Sequence, residues 1–102
     1  MNARPPAILD QLASLADNTR SRILLLLDGQ ELSVSELCTV LQLPQSTVSR
    51  HLKALADAGW VSSRAEGTSN VYAMSREALD SASKRLWSLV REQVGPSTGA
   101  MQ

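Results

Sequence analysis

The feature that most constrains this chain is the segment 45–60, QSTVSRHLKALADAGW, which has the pattern of one short amphipathic helix. Apolar residues recur along it at steps of four, three and three, and so form one stripe of a helix: Val48, Leu52, Leu55 and Ala58. Gly59 is predicted to end the helix, because glycine readily adopts the left-handed conformation in which a chain leaves a helix. The opposite face carries donors and two cations.

This polar face has the composition of a surface that binds a DNA duplex. Phosphates accept hydrogen bonds from cations and from the N–H groups at a helix start, where the helix dipole is positive. Base edges pair with Gln, Ser, Thr and Arg side chains. A solvated face is the common alternative for charged residues, but the neighbouring segments favour DNA. The residues predicted to contact DNA from this helix are Gln45, Ser46, Thr47, Ser49, Arg50, His51 and Lys53.

The segments before this helix predict three further helices. A helical stripe of apolar residues begins at Ala7, and Asp17 is predicted to cap a second helix that is buried on most sides. Residues 31–33 could add a short strand, and Ser35 is predicted to cap a third helix. The turn at residues 43–44 joins the third and fourth helices. Two short helices joined by so few residues predict a helix-turn-helix.

After Gly59 the pattern changes to strands at residues 60–62 and 70–74, with turn residues 66–69 between them. This pattern predicts a β-hairpin, or wing, with Arg64 near its tip. An arginine there suits a narrow, negative minor groove, and an ordinary exposed turn is the alternative. The wing residues predicted to contact DNA are Arg64, Thr68 and Asn70. A fifth helix is predicted to start after Ser75 and to end at residues 95–96.

Composition sets the limits on function. The 102 residues predict a single domain, ordered over residues 7–94 with a flexible tail at 95–102 and a loose arm at 1–6. Ten basic and ten acidic residues give no net charge, so a claim of DNA binding rests on local placement. No apolar run is long enough to span a membrane, and the single cysteine suits a reducing cytoplasm.

The order of these elements resembles that of the ArsR-type (ArsR/SmtB-like) winged helix-turn-helix regulators, over residues 8–92. The matching segments are DNTRSRIL at 17–24, SELC at 35–38, QSTVSRHLKAL at 45–55, AGWV at 58–61, and the wing residues Arg64, Glu66, Gly67, Val71 and Tyr72. The fold class expected is therefore mostly α with an α+β wing, comprising five helices and a two-stranded β-hairpin. The resemblance implies a homodimer that binds a dyad-symmetric DNA operator, usually to repress transcription.

The resemblance also implies that the first and last helices form the dimer interface. The patterning agrees, since two amphipathic end helices leave apolar surface that a partner copy would bury. The residues predicted for this interface are Ile8, Leu12, Leu15, Leu79, Ala82, Leu86 and Leu89. Trp87 lies off this stripe and is assigned to the same interface.

The metal ligands of many family members are absent from the pattern. Cys38 matches the first position of a Cys-x-Cys pair, but Val40 occupies the second, and Asp80 has no histidine partner in residues 76–94. One cysteine and one histidine do not supply three or four soft ligands. No metal site and no cofactor are therefore predicted.

Two other classes of function are open at this level. A protein-interaction module that lost DNA binding would fit the neutral net charge. A thiol sensor or an enzyme would need Cys38 and His51. Cys38 lies on an apolar stripe, which predicts a buried, inert thiol. His51 has no geometry for a Ser–His pair, so a phosphate contact or a half-buried structural role is expected, and no catalytic residue is predicted.

Overall fold

The computed structural model describes residues 7–100, with side chains described through residue 95. The predicted arm at 1–6 and the last two residues of the predicted tail lie outside the described residues. Within the described range the chain forms five α-helices and three β-strands: α1 Ala7–Leu15, α2 Asn18–Leu27, β1 Leu32–Ser33, α3 Val34–Leu41, α4 Gln45–Asp57, β2 Val61–Glu66, β3 Ser69–Met74 and α5 Ser81–Ala100. A short 3₁₀ turn, Arg76–Ala78, precedes α5. The predicted order of helices and wing is confirmed.

The three strands form one antiparallel sheet in the order β1-β3-β2. The hairpin pairs Val61 with Met74 at its base and Glu66 with Ser69 at its turn, where Gly67 has a φ of 62°. The short segment before α3 pairs with β3 through Leu32 and Tyr72. The predicted hairpin is therefore confirmed, and the short strand at its edge makes the sheet three-stranded.

The core lies between the helices and the base of the wing. Helix α2 supplies its centre, because Ile23, Leu24 and Leu27 are almost completely buried, as the apolar run predicts. The other nearly inaccessible side chains come from α3, α4 and the residue before β2: Leu37, Val48, Leu52, Leu55 and Trp60. Helices α3 and α4 and the base of the wing are therefore anchored in the same core as α2.

Trp87 belongs to this core, so its assignment to a dimer interface is wrong. The side chain is 4% exposed, and its ring centroid lies 6.5 Å from that of Trp60 with the two planes tilted by 58°. Trp60 donates its indole N–H to Ser14 Oγ at 2.6 Å, which ties α1 to the start of the wing. A buried indole removes a large apolar surface from water, so each tryptophan adds substantially to the core.

The cap predicted at Ser35 is wrong, because α3 begins two residues earlier. Ser33 Oγ accepts the N–H of Glu36 at 3.1 Å, and Glu36 Oε1 accepts the N–H of Ser33 at 2.8 Å. This reciprocal capping box satisfies two N–H groups that the first helical turn leaves free. Ser35 already lies within the helix.

Both predicted ends of α5 are also wrong. Ser75 makes no side-chain cap, and the helix starts after Asp80, whose carboxylate accepts the N–H of Ser83 at 2.8 Å. At the other end, the helical backbone continues past Gly95 to Ala100. A Cβ at position 95 would lie 3.3 Å from Leu25 Cδ2. Gly95 therefore allows α5 to approach α2 closely, and it does not end the helix.

Candidate nucleic-acid interface

Helix α4 has the two faces that its sequence predicts. Val48, Leu52 and Leu55 are at most 1% exposed and pack into the core. The opposite face leaves five of the predicted DNA-contacting residues exposed: Gln45, Ser46, Ser49, Arg50 and Lys53. The buried stripe holds the helix to the domain, so the exposed donors are presented on a rigid element.

Thr47 and His51 lie at the boundary between these faces, and each is half-buried. The Nδ1 atom of His51 is buried and has no hydrogen-bond partner among the described residues. The half-buried position agrees with one of the two roles expected for this histidine. Its exposed part still borders the polar face of α4.

The two cations of α4 differ in their surroundings. Arg50 is exposed and makes no ion pair within the described part of the chain. Lys53 pairs with Asp57 at 3.4 Å one helical turn away, but the two side chains are 79% and 68% exposed. Such an exposed pair is weak and screened by salt. Both cations are therefore available to an anionic partner.

The start of α4 is also open to such a partner. A three-residue turn joins α3 to α4, and Gln42 in it adopts the left-handed conformation with a φ of 57°. Pro44 occupies the position before α4 and makes no side-chain cap, as its sequence predicts. The first N–H groups of a helix have no partner within the helix, and the dipole is positive there.

A groove of about 540 Å³ lies between the starts of α3 and α4 and the turn of the wing. It brings together three predicted contact residues from two separate segments, namely Gln45, Thr68 and Asn70. The remaining lining residues are Ser33, Val34, Ser35, Cys38, Thr39 and Ser69. Helix α4 and the wing therefore border one polar groove.

The hydroxyls of α3 in this groove were not predicted as contacts. Ser35 and Thr39 are four residues apart, and Thr39 Oγ1 donates to the Ser35 carbonyl at 3.0 Å. Their spacing on one helical face was a signal that the sequence did contain. Cys38 is half-buried and lines the same groove, so the prediction of a fully buried thiol is wrong.

Arg64 lies two residues before the end of β2 and pairs with Val71, near the turn of the wing. Its guanidinium contacts two carboxylates, Glu31 at 2.7 Å and Glu66 at 3.1 Å. The hydrogen bond from Arg64 lowers the pKa of Glu31 below its usual range. Unlike Arg50, this arginine already has anionic partners.

The residues between α1 and α2 hold these two helices together. The Asp17 carboxylate accepts the N–H of Arg20 at 3.1 Å, and this bond, followed by the charge of His51, lowers the pKa of Asp17 against the opposing effect of burial. Arg20 donates through Nε to the Ser14 carbonyl at 2.6 Å, at the end of α1. These contacts fix the angle between α1 and α2.

The residues predicted for a dimer interface fall into two groups. Leu15 and Leu79 are each 7% exposed and belong to the core of the chain. Leu12 and Leu89 are 46% and 60% exposed, and Ile8, Ala82 and Leu86 are half-buried. Leu9, which was not predicted, is also exposed on α1. The two end helices thus present apolar surface, although two predicted members point inward.

Two kinds of site are absent from the described residues. No group of three or more His, Cys, Asp and Glu side chains among them is arranged to hold a metal ion. None of the described helices has the length and apolar character that crossing a membrane requires.

These elements define a winged helix-turn-helix domain, the class of DNA-binding module in which a recognition helix is flanked by a β-hairpin wing. The model of the family described as bacterial regulatory protein, arsR family, matches residues 17–63. The arsenical resistance operon repressor of Staphylococcus xylosus is 36% identical over 75 residues, which cover 74% of this chain and 72% of that protein. This chain belongs to the ArsR family of bacterial transcriptional regulators.

A further sequence relative and two solved structures agree with this assignment. The transcriptional activator HlyU of Vibrio cholerae is 41% identical over 64 residues, covering 63% of this chain and 59% of that protein. A structure of HlyU from Vibrio cholerae matches with a TM-score of 0.76 at 31% identity, over 92% of this chain and 98% of that one. A homodimeric winged helix-turn-helix DNA-binding domain from Mycobacterium bovis matches with a TM-score of 0.68 at 31% identity, over 93% and 91% of the two chains.

Proposed function

We propose that this chain is a homodimeric repressor that binds a dyad-symmetric operator through α4 and the wing. The observation that carries the proposal is the exposed polar face of α4 beside a groove lined by the wing turn. On this face Arg50 makes no ion pair with any residue that the structure describes. In a dimer of such domains, two recognition helices enter successive major grooves about 34 Å apart. Ser49, Arg50 and Gln45 are then donors for base edges, and Lys53 and the start of α4 contact phosphates.

Selection of bound sequences from random duplex DNA tests this proposal. We expect enrichment of a sequence with dyad symmetry, and an affinity that falls steeply with salt because phosphate contacts release counterions. The alternative of a protein-interaction module without DNA binding predicts no enriched sequence and no retention on heparin at low salt. That result would reject DNA binding as the function.

The exposed apolar residues of α1 and α5 support the homodimer. Leu9, Leu12 and Leu89 are each at least 46% exposed, and the relative from Mycobacterium bovis is described as homodimeric. Leu89→Asp should convert the protein to monomers in light scattering and weaken operator binding. The matched control is Val40→Asp, which places the same charge at an exposed apolar residue of α3. If Leu89→Asp protein keeps the mass of a dimer, the interface lies elsewhere.

The cysteine content of this chain does not fit the thiol-rich metal sites of many family members. The chain has one cysteine, and Val40 occupies the second position of the Cys-x-Cys pattern, so even a dimer would supply only two thiols. We therefore propose a regulator that does not use these sites. Binding of Zn(II) or arsenite that changes operator affinity would contradict this part of the proposal.

The direction of regulation is a separate part of the proposal. The relative from Staphylococcus xylosus is named as a repressor, and HlyU is named as an activator. Repression needs only that the dimer occupy DNA that polymerase must use, which the proposed operator binding would do. A reporter placed behind the selected operator should be expressed less when the protein is present. Increased expression would favour the activator alternative.

A further inference from the structure

A second cavity, of about 120 Å³, lies on a different side of the molecule, between the base of the wing and helix α5. Its lining residues come from the end of β3, the 3₁₀ turn and one face of α5: Met74, Arg76, Leu79, Lys84, Trp87, Ser88 and Arg91. The space equals the liquid volume of about four water molecules, which suits a compact molecule such as a single ring.

The cavity has an apolar wall. Leu79 and Trp87 are buried, and Met74 is half-buried. The Nε1 atom of Trp87 is buried without a hydrogen-bond partner among the described residues. A buried indole N–H usually finds an acceptor, and the Trp60 indole does so with Ser14. The wall therefore suits an apolar body.

The rim of the cavity is positively charged. Arg91 donates to the Asp28 carboxylate at 2.8 Å, and Arg76 donates to its other oxygen. Burial raises the pKa of Asp28, but the hydrogen bonds from Arg91 and Arg76 lower it by more than burial raises it. The net pKa is below the usual value, so this carboxylate is ionised at neutral pH. One carboxylate thus faces two guanidinium groups.

Lys84 adds a further positive charge at the same rim. It makes no ion pair within the described part of the chain, and no acidic side chain lines the cavity itself. With Asp28 counted against the two arginines, the rim keeps two positive charges in excess. Organic anions are the ligands that such a rim attracts.

We propose that this cavity binds a small organic anion with an apolar body, an aromatic carboxylate being the simplest example, as an effector of the protein. The apolar body contacts Met74, Leu79 and Trp87. The carboxylate is held by Lys84 and by the guanidinium N–H groups that the two arginines do not use on Asp28. Neutral analogues lack the charge, and inorganic anions lack the apolar contact. Both should bind more weakly.

The position of the cavity connects it to DNA binding, and this connection rests on the proposed function. Met74 pairs with Val61 at the base of the wing, and the Ser75 N–H donates to the Trp60 carbonyl at 2.8 Å. A bound anion contacts both the wing base and α5. It changes operator affinity to the extent that it binds the DNA-free and DNA-bound states differently.

The test uses the full chain without DNA, so failure of DNA binding leaves it interpretable. Benzoate, benzamide and inorganic phosphate are titrated while the two indole N–H signals are followed by NMR. The Trp87→Phe variant identifies which signal belongs to Trp87. We expect benzoate to shift the Trp87 signal saturably and to leave that of Trp60, which is bonded to Ser14, almost unchanged.

Matched lysine variants separate the site from general charge. Lys84→Gln should weaken benzoate binding by about three- to fivefold, the range for one partly exposed ion pair. Lys53→Gln removes an exposed lysine of α4 and should leave benzoate binding unchanged. The proposal is overturned if benzoate does not saturate the signal, if benzamide or phosphate binds equally well, or if the two lysine variants behave alike.

Discussion

The recognition helix and the wing both carry an arginine predicted to contact DNA, but the structure places the two in opposite situations. Helix α4 is anchored by three side chains in the core and presents Arg50 without an ionic partner among the described residues. Strand β2 buries only Val61, and its Arg64 is held by Glu31 and Glu66. A rigid element with a free cation is suited to reading sequence. A lightly anchored element with a paired cation must exchange partners before it binds a phosphate.

The largest effect should come from removing the anchor of the recognition helix. Leu52→Ala should lower the free energy of unfolding by about 2–5 kcal/mol, because it leaves a cavity in the core. Thr68→Ala, at the exposed turn of the wing, should change it by less than about 0.5 kcal/mol. Urea unfolding of both variants measures the contrast. Equal losses would mean that the wing is anchored as firmly as α4.

The next effect compares the two arginines directly. Arg50→Ala should weaken operator binding by about 1–3 kcal/mol, the range for an arginine that contacts a base edge. Arg64→Ala should cost less, because the wild-type side chain must first leave Glu31 and Glu66. Gel shift at fixed salt measures both, with Arg85→Ala on α5 as a control for the loss of one exposed positive charge. Equal losses for Arg50 and Arg85 would remove the recognition role of α4.

The smallest effect should come from releasing the wing arginine. Glu31→Gln removes one of its carboxylate partners and should tighten operator binding by about two- to fivefold at low salt, the range for an exposed ion pair. The effect should disappear at high salt, where exposed charges are screened. Glu77→Gln, in the 3₁₀ turn, is the control for net charge. If both variants tighten binding equally, the pairing of Arg64 does not limit its contact with DNA.

The parts of the fold that could be predicted from sequence are those set by local rules. The apolar stripe of α4 and the glycine that ends it follow from helical period and backbone conformation, and Gly59 has the expected positive φ of 86°. The turn residues of the wing determine the hairpin in the same way. The exposed face of the candidate site follows because its donors lie opposite that stripe.

The remaining features depend on contacts between distant segments. Ser33 and Ser35 are both acceptable caps, and the pairing of β1 with β3 leaves Ser33 at the helix boundary. The partners of Arg64 lie 33 and 2 residues away, and only the sheet brings Glu31 to it. The burial of Trp87 likewise depends on Trp60 from another element. Periodicity along one helix contains none of this information.

The central claim is that the exposed face of α4 lies in the major groove of the operator. Cys38→Ser removes the only cysteine, and Ser49→Cys then provides a single attachment point for an iron chelate that cleaves nearby DNA. The structure predicts two clusters of cleavage in the selected operator, about 34 Å apart. The same chelate on Ala78→Cys, in the 3₁₀ turn, should cleave weakly. Each labelled protein is first shown by gel shift to bind the operator. Strong cleavage from position 78 with none from position 49, in protein that still binds, would contradict the claim.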